Sequence, residues 1–585
     1  MRGPFSSGAG FSRLISVAMT TATLSTSAQP ALPAPTRLSL RWGLLIVVYG
    51  ATLLGSGLGN HVLTRHEVLA AYPAKEMLRN GHWIVQMFAG IPRTIKPPTT
   101  GWMIAACMAM FRSDAEWVVR LPSVAAAILT ALMVAAFTAR FYSQATGIIA
   151  GLIQLTCYYA LKQATLAEAD MPLCAAVTAA MLCFAAGTIS PAQETNTQAA
   201  ASRPSRLLSA AFYFFTGLAF LLKGPNGLIF ILSAIVTYAL VRRERHIFRF
   251  LADPIGTIIF VVLLVGWPLA AIIQRPQIIT EWKIEMGATA AGGFGRNSIF
   301  TYLGLTPASL LPWAPAMAIG IYVMAKGGGC RRPLFQFFAC WFLPGFIYLH
   351  FIALKSLHYP IPLLPPFSIA GAVGLLRYID FQHWKPQPRR VLSAILFAAC
   401  CVAAAIVVVF VPMLRPMSVP LWAALFVLCA GGLLAIYFEH RRWIGAQIGA
   451  LAATAWGVII IVSMCLLPRF DSYRPLADLA RRANGMLPVG QMLYIIDEDI
   501  EVEPHAAYYL RPPIRRLPSP EAFVAFAGTQ SLSAQRPVYV LCITSAQRLL
   551  ERHFSVEGLD RCAALRRKER EEHRWRLAMI TSTKD

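Results

Sequence analysis

The chain has 585 residues, of which 57% are hydrophobic and 14% charged, with Lys+Arg 52 against Asp+Glu 28. About a quarter of a soluble domain is charged, so this composition excludes an ordinary soluble enzyme, and its apolarity excludes a disordered chain. The formal net charge of +24 does not mark a nucleic-acid binder, because the basic residues fall in short groups between long apolar runs.

In chain order, residues 1–41 come first, rich in Ser, Thr, Ala and Pro. They read as a flexible cytoplasmic tail rather than a cleaved leader, because threonines dilute the apolar run LISVAMTTATL. Thirteen apolar runs follow, near 42–59, 118–139, 144–161, 171–188, 207–222, 225–241, 254–273, 301–324, 335–353, 359–376, 391–411, 419–438 and 446–467. Each approaches or exceeds the roughly 20 residues with which a helix crosses about 30 Å of hydrocarbon. None alternates as a barrel strand must. Residues 100–111 are apolar but short, which places them at the interface or against the bundle. The reading is therefore an α-helical polytopic membrane protein with about 13 transmembrane helices.

Basic groups at 242–249, 326–332, 377–390 and 439–442 fall on one side with the N terminus, which is the cytoplasmic side. Residues 42–467 then form a transmembrane domain whose first outer loop is 60–117. An odd number of spans puts 468–585 outside. There PLADLARRANGML reads as a helix, and QMLYIID and RPVYVLCI as buried strands. This is a small α/β domain, ending in a charged helix at RRKEREEHRWR. Ten of the 12 cysteines lie in or beside apolar runs, where Cys is a small apolar residue. Cys542 and Cys562 lie in the outer domain and form a disulfide only if their geometry permits it.

The informative residues are charges in costly places. Glu67 and Glu76 lie in the first outer loop, and Glu168 and Asp170 in LAEADMPL. A carboxylate beside a membrane is solvated, paired or used. Glu76 reads as a wet loop residue, whereas Glu67 and Asp170 belong to longer patterns. The chain has ten lysines, and Lys96, Lys223 and Lys355 sit at outer ends of helices, where the charge rule disfavours them. One such lysine would only snorkel, but three on one side suggest an anion site, and a phosphate at the membrane surface is the natural partner. The loop 274–300 carries Glu281, Glu285, Arg296 and a flexible AAGGFGRNS segment suited to closing over a substrate. Trp102, Trp267 and Trp313 fit an interfacial aromatic belt.

These lysines occur within a wider pattern. The pieces HEVLAAYPAKEMLRNGHWIVQMFAGIPRTIKPPTTGW, VVRLPS, LAEADMPL, LLKGP, SLLPWAP and KSLHYPIPLLPP resemble the bacterial ArnT-like and protein O-mannosyltransferase-like lipid-linked glycosyltransferases, which have the GT-C fold. The resemblance covers roughly 40–380, and SYRPLADLARRA with HAAYYLRPPI extends it more loosely into the outer domain. It implies transfer of a sugar from a polyprenyl-phosphate donor to a lipid or glycan acceptor at the outer face of the cytoplasmic (inner) membrane, with membrane lipids as surroundings and no required cofactor.

The family's acidic pair in the first outer loop reads His66-Glu67 here. The resemblance thus makes Glu67 the remaining carboxylate, which orients or deprotonates an acceptor hydroxyl, or only orients if the acceptor is a phosphate. Leu69 stands where ArnT proper has an Arg, and Ile95 where that subgroup has a Glu that contributes to metal binding, so no metal ligands are assigned. Arg93 is expected to supply some of the missing positive charge. Lys96, Lys355 and Lys223 are expected to stabilise the phosphate as it leaves, with a hydrogen bond from Tyr359. His358 beside it is either part of that site or a packed interfacial histidine. Asp170 either positions the acceptor or holds a lysine. The competing reading, a transporter or lipid flippase, expects ionisable groups along a path near the midplane, with paired broken helices in two halves.

Overall fold

The computed structural model describes residues 36–88, 90–94, 96–195, 205–291, 300–326, 328–352, 355–356, 358–380, 418–441, 443–466, 475–488, 490–496, 508–511, 513–529, 537–561 and 575–583. Nearly all of the expected 1–41 tail, the expected span at 391–411, and Arg296 and Cys562 lie outside them.

Among the described residues, eight helices are long and apolar enough to cross a membrane. The remaining apolar runs differ from the thirteen expected spans because several are shorter or broken. The first helix, α1, is Leu40–Gly55. The first outer loop then folds as α2 (Arg65–Asn80), a hairpin of β1 (Gln86–Phe88) and β2 (Ile91–Arg93), and α3 (Thr99–Phe111). Next come α4 (Glu116–Phe141), α5 (Gln144–Thr156), α6 (Tyr158–Ala164) and α7 (Asp170–Thr188). Helices α8 (Arg206–Lys223), α9 (Pro225–Arg242), α10 (Pro254–Gln274) and α11 (Ile278–Ala291) follow. The membrane domain continues with α12 (Thr301–Ser309), α13 (Ala314–Ala325), α14 (Pro333–Phe351), α15 (Pro365–Asp380), α16 (Ser418–Arg441) and α17 (Ile444–Ile461).

The run at 144–161 breaks at Cys157, whose backbone is extended, and the run at 301–324 breaks around Pro312. The two breaks face each other. The Tyr158 amide donates to the Leu311 carbonyl at 3.0 Å, and the Trp313 indole donates to Thr156 Oγ1 at 2.9 Å. Backbone groups freed at membrane depth must find partners inside the protein, and these do. The run at 359–376 begins with a short 3₁₀ turn at Ile361–Leu363, because prolines 360, 362, 365 and 366 cannot supply helical donors. Gly320 and Gly374 let α13 and α15 cross backbone to backbone. A Cβ at Gly320 would lie 1.7 Å from the Ala370 carbonyl oxygen, and one at Gly374 2.0 Å from that of Ala316.

In the C-terminal part, α18 (Pro475–Met486) precedes β3 (Leu493–Ile496), β4 (Ile514–Leu517), α19 (Pro520–Thr529), β5 (Val538–Ile543), α20 (Thr544–Leu550), β6 (Phe554–Arg561) and β7 (Trp575–Thr583). The sheet order is β4-β3-β5-β7-β6. Strand β3 is parallel to β4 and β5, and β7 is antiparallel to β5 and β6. The end of the expected charged helix is strand instead. Trp575, Leu577 and Met579 alternate onto one core, a period of two that no helix has. Cys542 is buried in the other core.

This α/β unit docks on the first outer loop through two tyrosines. Lys75, on α2, donates to the Tyr508 carbonyl at 2.9 Å, lies 2.6 Å from Asp114 and sits 4.0 Å above the Tyr508 ring. The Tyr508 hydroxyl donates to the Asp114 carbonyl at 2.6 Å, and Tyr509 accepts from the Leu63 amide at 2.9 Å. Arg481 pairs with Glu116 and lies over the Tyr509 ring. Lys75→Met leaves a buried carbonyl without its donor, at a loss of about 1–3 kcal/mol. The expected result is faster limited proteolysis of the segment after residue 467, with the membrane domain left intact.

Candidate active site

The site is assembled from four helix ends. Lys223 is the last residue of α8, and Gly224, at φ 61, turns the chain directly into Pro225, the first residue of α9. This turn sets the lysine at the mouth of the α8–α9 hairpin. Asp170, the first residue of α7, is buried and ion-paired with Lys223. His358 Nε2 lies 3.6 Å from the other Asp170 oxygen. The Lys223 ammonium also sits 4.5 Å above the Tyr359 ring, and the His358 and Tyr359 rings meet edge to face at 5.1 Å. A buried aspartate thus collects one lysine and one histidine, and a tyrosine face backs the lysine.

Lys96 and Arg93 approach from the first outer loop. Gln86 holds the Lys96 carbonyl at 2.9 Å. Thr94 donates to Glu281 at 2.5 Å, and the Trp282 indole donates to the Thr94 carbonyl at 2.9 Å. Glu281 itself is held by Arg275 at 2.6 Å. Within the outer loop 274–300, Ile278–Ala291 is helical and strapped to the lysine loop, while nearly all of the AAGGFGRNS segment expected to be flexible lies outside the described residues. The Lys96 side chain is reachable from outside yet ringed by protein. That desolvation, with the positive charges of Arg93 and Lys223, lowers its pKa, against the pull of Asp170 and Glu168.

Lys355 does not join this group. Its ammonium turns back to the Ile352 carbonyl at 3.0 Å, where it caps the C-terminal end of α14.

Glu67 has a different environment from the one its motif suggests. It is fully buried at the start of α2, where it closes a capping box with Thr64. One carboxylate oxygen accepts from Arg120 Nε at 2.7 Å and from the Ala167 amide at 3.0 Å. The other accepts from the Thr64 amide at 2.7 Å and from Arg120 Nη2 at 3.1 Å. Burial alone would raise its pKa, but Arg120 and the two backbone donors outweigh it and hold the carboxyl below its ordinary value. A saturated, ionised and enclosed carboxylate neither meets a substrate nor takes its proton. Arg120, fully buried on α4, also donates to the carbonyls of Leu58, His61 and Val62. Sequence reading passed over Arg120 as part of an apolar span, although an arginine inside such a span is itself a sign of a buried partner.

Glu168, next to Ala167 and assigned no role from the sequence, is half-buried and accepts from Gln163 at 2.9 Å. Glu76, expected as a wet loop residue, is instead half-buried on α2, where it accepts from Asn80 one turn on. Glu168, Asp170 and His358 each bring one ligand-type atom within 4.8 Å of the others. That trio is a poor fit to a divalent ion, because the Lys223 ammonium already neutralises Asp170 and Lys96 adds further positive charge. His66, exposed on α2, is close enough for its charge to depress protonation of His358, whose pKa is lowered mainly by burial.

The described ionisable groups of the site thus gather at one end of the bundle. The sequence matches the family of dolichyl-phosphate-mannose-protein mannosyltransferases over residues 95–270. It is 25% identical over 316 residues to the undecaprenyl phosphate-alpha-4-amino-4-deoxy-L-arabinose arabinosyl transferase of Aeromonas salmonicida, a match covering 52% of this chain and 55% of that relative. With the enzyme of the same name from Edwardsiella ictaluri it is 24% identical over 500 residues, 80% of this chain and 83% of the relative. ArnT from Cupriavidus metallidurans, solved bound to undecaprenyl phosphate, superposes with a TM-score of 0.73 at 20% identity, covering 92% of this chain and 98% of that one. The chain is thus a multi-pass membrane protein with the GT-C fold of ArnT, similar in sequence to ArnT-like lipid-linked glycosyltransferases.

Proposed function

We propose that the protein is a glycosyltransferase that moves a sugar from a polyprenyl-phosphate carrier to a lipid or other cell-envelope acceptor at the outer face of the inner membrane. Its N terminus lies inside and its C-terminal domain outside. The observation that carries this reading is the convergence of Lys96, Arg93, Lys223 and Tyr359 around Asp170, at one end of the helix bundle of a fold shared with a structure solved bound to undecaprenyl phosphate. A transporter would instead distribute such groups along a path through the midplane.

The geometry divides the labour. Lys223 is committed to Asp170 and braced by Tyr359, which fixes a positive charge at the helix ends. Lys96 is engaged in no described ion pair and carries the charge that meets the carrier phosphate. As the bond from the anomeric carbon to the phosphate oxygen breaks, charge builds on the phosphate. Lys96, Arg93 and the Tyr359 hydroxyl stabilise it, the preorganised help that counts most in such reactions. His358 lies beside the Asp170 oxygen that Lys223 does not engage. Glu67 and Arg120 act at a distance by holding the first outer loop, α4 and the segment before Glu168 together. Inversion by a single displacement accords with the family resemblance.

Binding of labelled undecaprenyl phosphate to the purified protein in lipid nanodiscs tests this. A charge-assisted contact is worth about 1.5–3 kcal/mol, so Lys96→Ala is expected to weaken binding about 10- to 100-fold. The pH sign follows from the lowered pKa of Lys96: binding is full while the amine is protonated and weakens as pH rises through that value, below the range of an ordinary lysine. Unchanged affinity in Lys96→Ala, at every pH, counts against the phosphate site.

A further inference from the structure

We propose that Glu168 accepts the proton of the attacking acceptor, and that the acceptor group is a neutral hydroxyl rather than a phosphate; the inference rests on the glycosyl-transfer reading above. Of the three carboxylates around the site, Glu67 is enclosed with both oxygens engaged, and Asp170 is tied to Lys223. Glu168 Oε2 accepts from Gln163 at 2.9 Å, while Oε1 has no hydrogen-bond or ion-pair partner among the described residues. Its backbone is anchored on both sides. The amide donates to the Leu166 carbonyl at 2.9 Å, the carbonyl accepts from Ser123 Oγ at 3.4 Å, and the preceding amide is held by Glu67. A base on a fixed loop with one oxygen open is placed to take a proton.

The groups facing it act in one direction on balance. Burial comes first, then the Asp170 carboxylate on α7 and Glu67 on α2. These raise the Glu168 pKa against Gln163 on α6 and Lys223 on α8. His358, from the segment before α15, and Lys96, from the first outer loop, complete the surroundings. A carboxylate made more basic than usual is better matched to proton abstraction near neutral pH. A base serves an attacking group that must lose a proton, so an acceptor that uses Glu168 is a neutral hydroxyl rather than an already ionised phosphate.

In the step, an oxygen lone pair of the acceptor forms the bond to the anomeric carbon. The bond from that carbon to the carrier phosphate oxygen breaks, and its electron pair leaves on the phosphate beside Lys96. The acceptor proton passes to Glu168 Oε1, and the neutral carboxyl returns it to solvent. No other reactant is needed.

The test uses the full chain in lipid nanodiscs, a panel of labelled undecaprenyl-phosphate sugars, and cell-envelope extract as the acceptor pool. Transfer of label is measured alongside binding of undecaprenyl phosphate alone. Glu168→Gln is expected to lower kcat by about 10²- to 10⁴-fold, the usual contribution of a general base, with undecaprenyl phosphate affinity changed by less than about twofold. Glu168→Asp is expected to retain part of the rate. In the wild type kcat falls as pH drops through the raised pKa, because the base becomes protonated. The residual rate of Glu168→Gln lacks that limb. Wild-type kcat in Glu168→Gln, an unchanged acid limb, or a loss of undecaprenyl phosphate affinity matching the loss of rate each overturns the assignment. If the wild type itself transfers label from no donor, the glycosyl-transfer reading fails first, before any variant is compared.

Discussion

Replacing Arg120 with Ala is expected to destabilise the protein by about 3–5 kcal/mol, because it strands the Glu67 carboxylate in the interior with its principal partner gone. The guanidinium binds both Glu67 oxygens and three carbonyls of the segment that leads into α2. Its removal therefore loosens the entry to the first outer loop as well as leaving a charge unpaired. Glu67→Gln leaves the arginine charged and buried, and a comparable loss is expected. Replacing both together, as Glu67→Gln with Arg120→Met, removes the stranded charge from either side and is expected to recover part of the stability. Thermal unfolding of the four proteins in one detergent closes the double-mutant cycle. A positioning role predicts a large coupling between the two positions. If Glu67→Gln instead melts like the wild type and only loses turnover, the carboxylate touches substrate and the strut account is wrong.

The second large effect falls on Lys223. Lys223→Ala removes a cation from the phosphate site and also leaves Asp170, which is buried, without its ion-pair partner. Stability and turnover are expected to drop together, the first by about 3–5 kcal/mol as for any broken buried pair. Asp170→Asn combined with Lys223→Met removes the isolated charge. This double variant is expected to regain stability while turnover stays lost, because no ammonium remains in front of Tyr359. Lys96→Ala provides the contrast: its side chain is engaged in no described ion pair, so donor affinity falls with little change in melting temperature. Recovery of turnover along with stability in the double variant would show that Lys223 only neutralises Asp170.

Much of this architecture was legible because hydropathy is a strong signal over 18 or more residues. It gave way where a run contains its own break. Residues 144–161 and 301–324 are apolar throughout, yet Cys157 and Leu311–Trp313 interrupt them, and the two interruptions are joined by one backbone and one side-chain hydrogen bond. No local pattern reports a contact between two breaks so far apart in the chain. Residues 359–376 show the opposite case, since their prolines announce the broken start.

The site divides in the same way. Asp170, Lys223 and Lys96 stood out because charges at helix ends are few, while His358 and Tyr359 were named only through the family resemblance, and the structure places these side chains together. Lys355 met the same criterion, but a lysine just after a helix finds that helix's carbonyls, and it did. Glu67 was conspicuous for its motif, while its role depends on Arg120 and on an amide at residue 167, neither of which motif reading could connect to it. Glu168 was given no role because only its neighbour Asp170 belonged to a longer pattern. Its burial comes from packing of α6, α7 and the first outer loop, which only the assembled fold reveals.

The most direct measurement of the central claim is single-turnover release of undecaprenyl phosphate from a labelled undecaprenyl-phosphate sugar by the purified protein in lipid, followed by mass spectrometry with envelope acceptors present. The account predicts acceptor-dependent release coupled one to one with glycosylated product, abolished in Lys96→Ala. No release from any such donor, or equal release from wild type and Lys96→Ala, would contradict it.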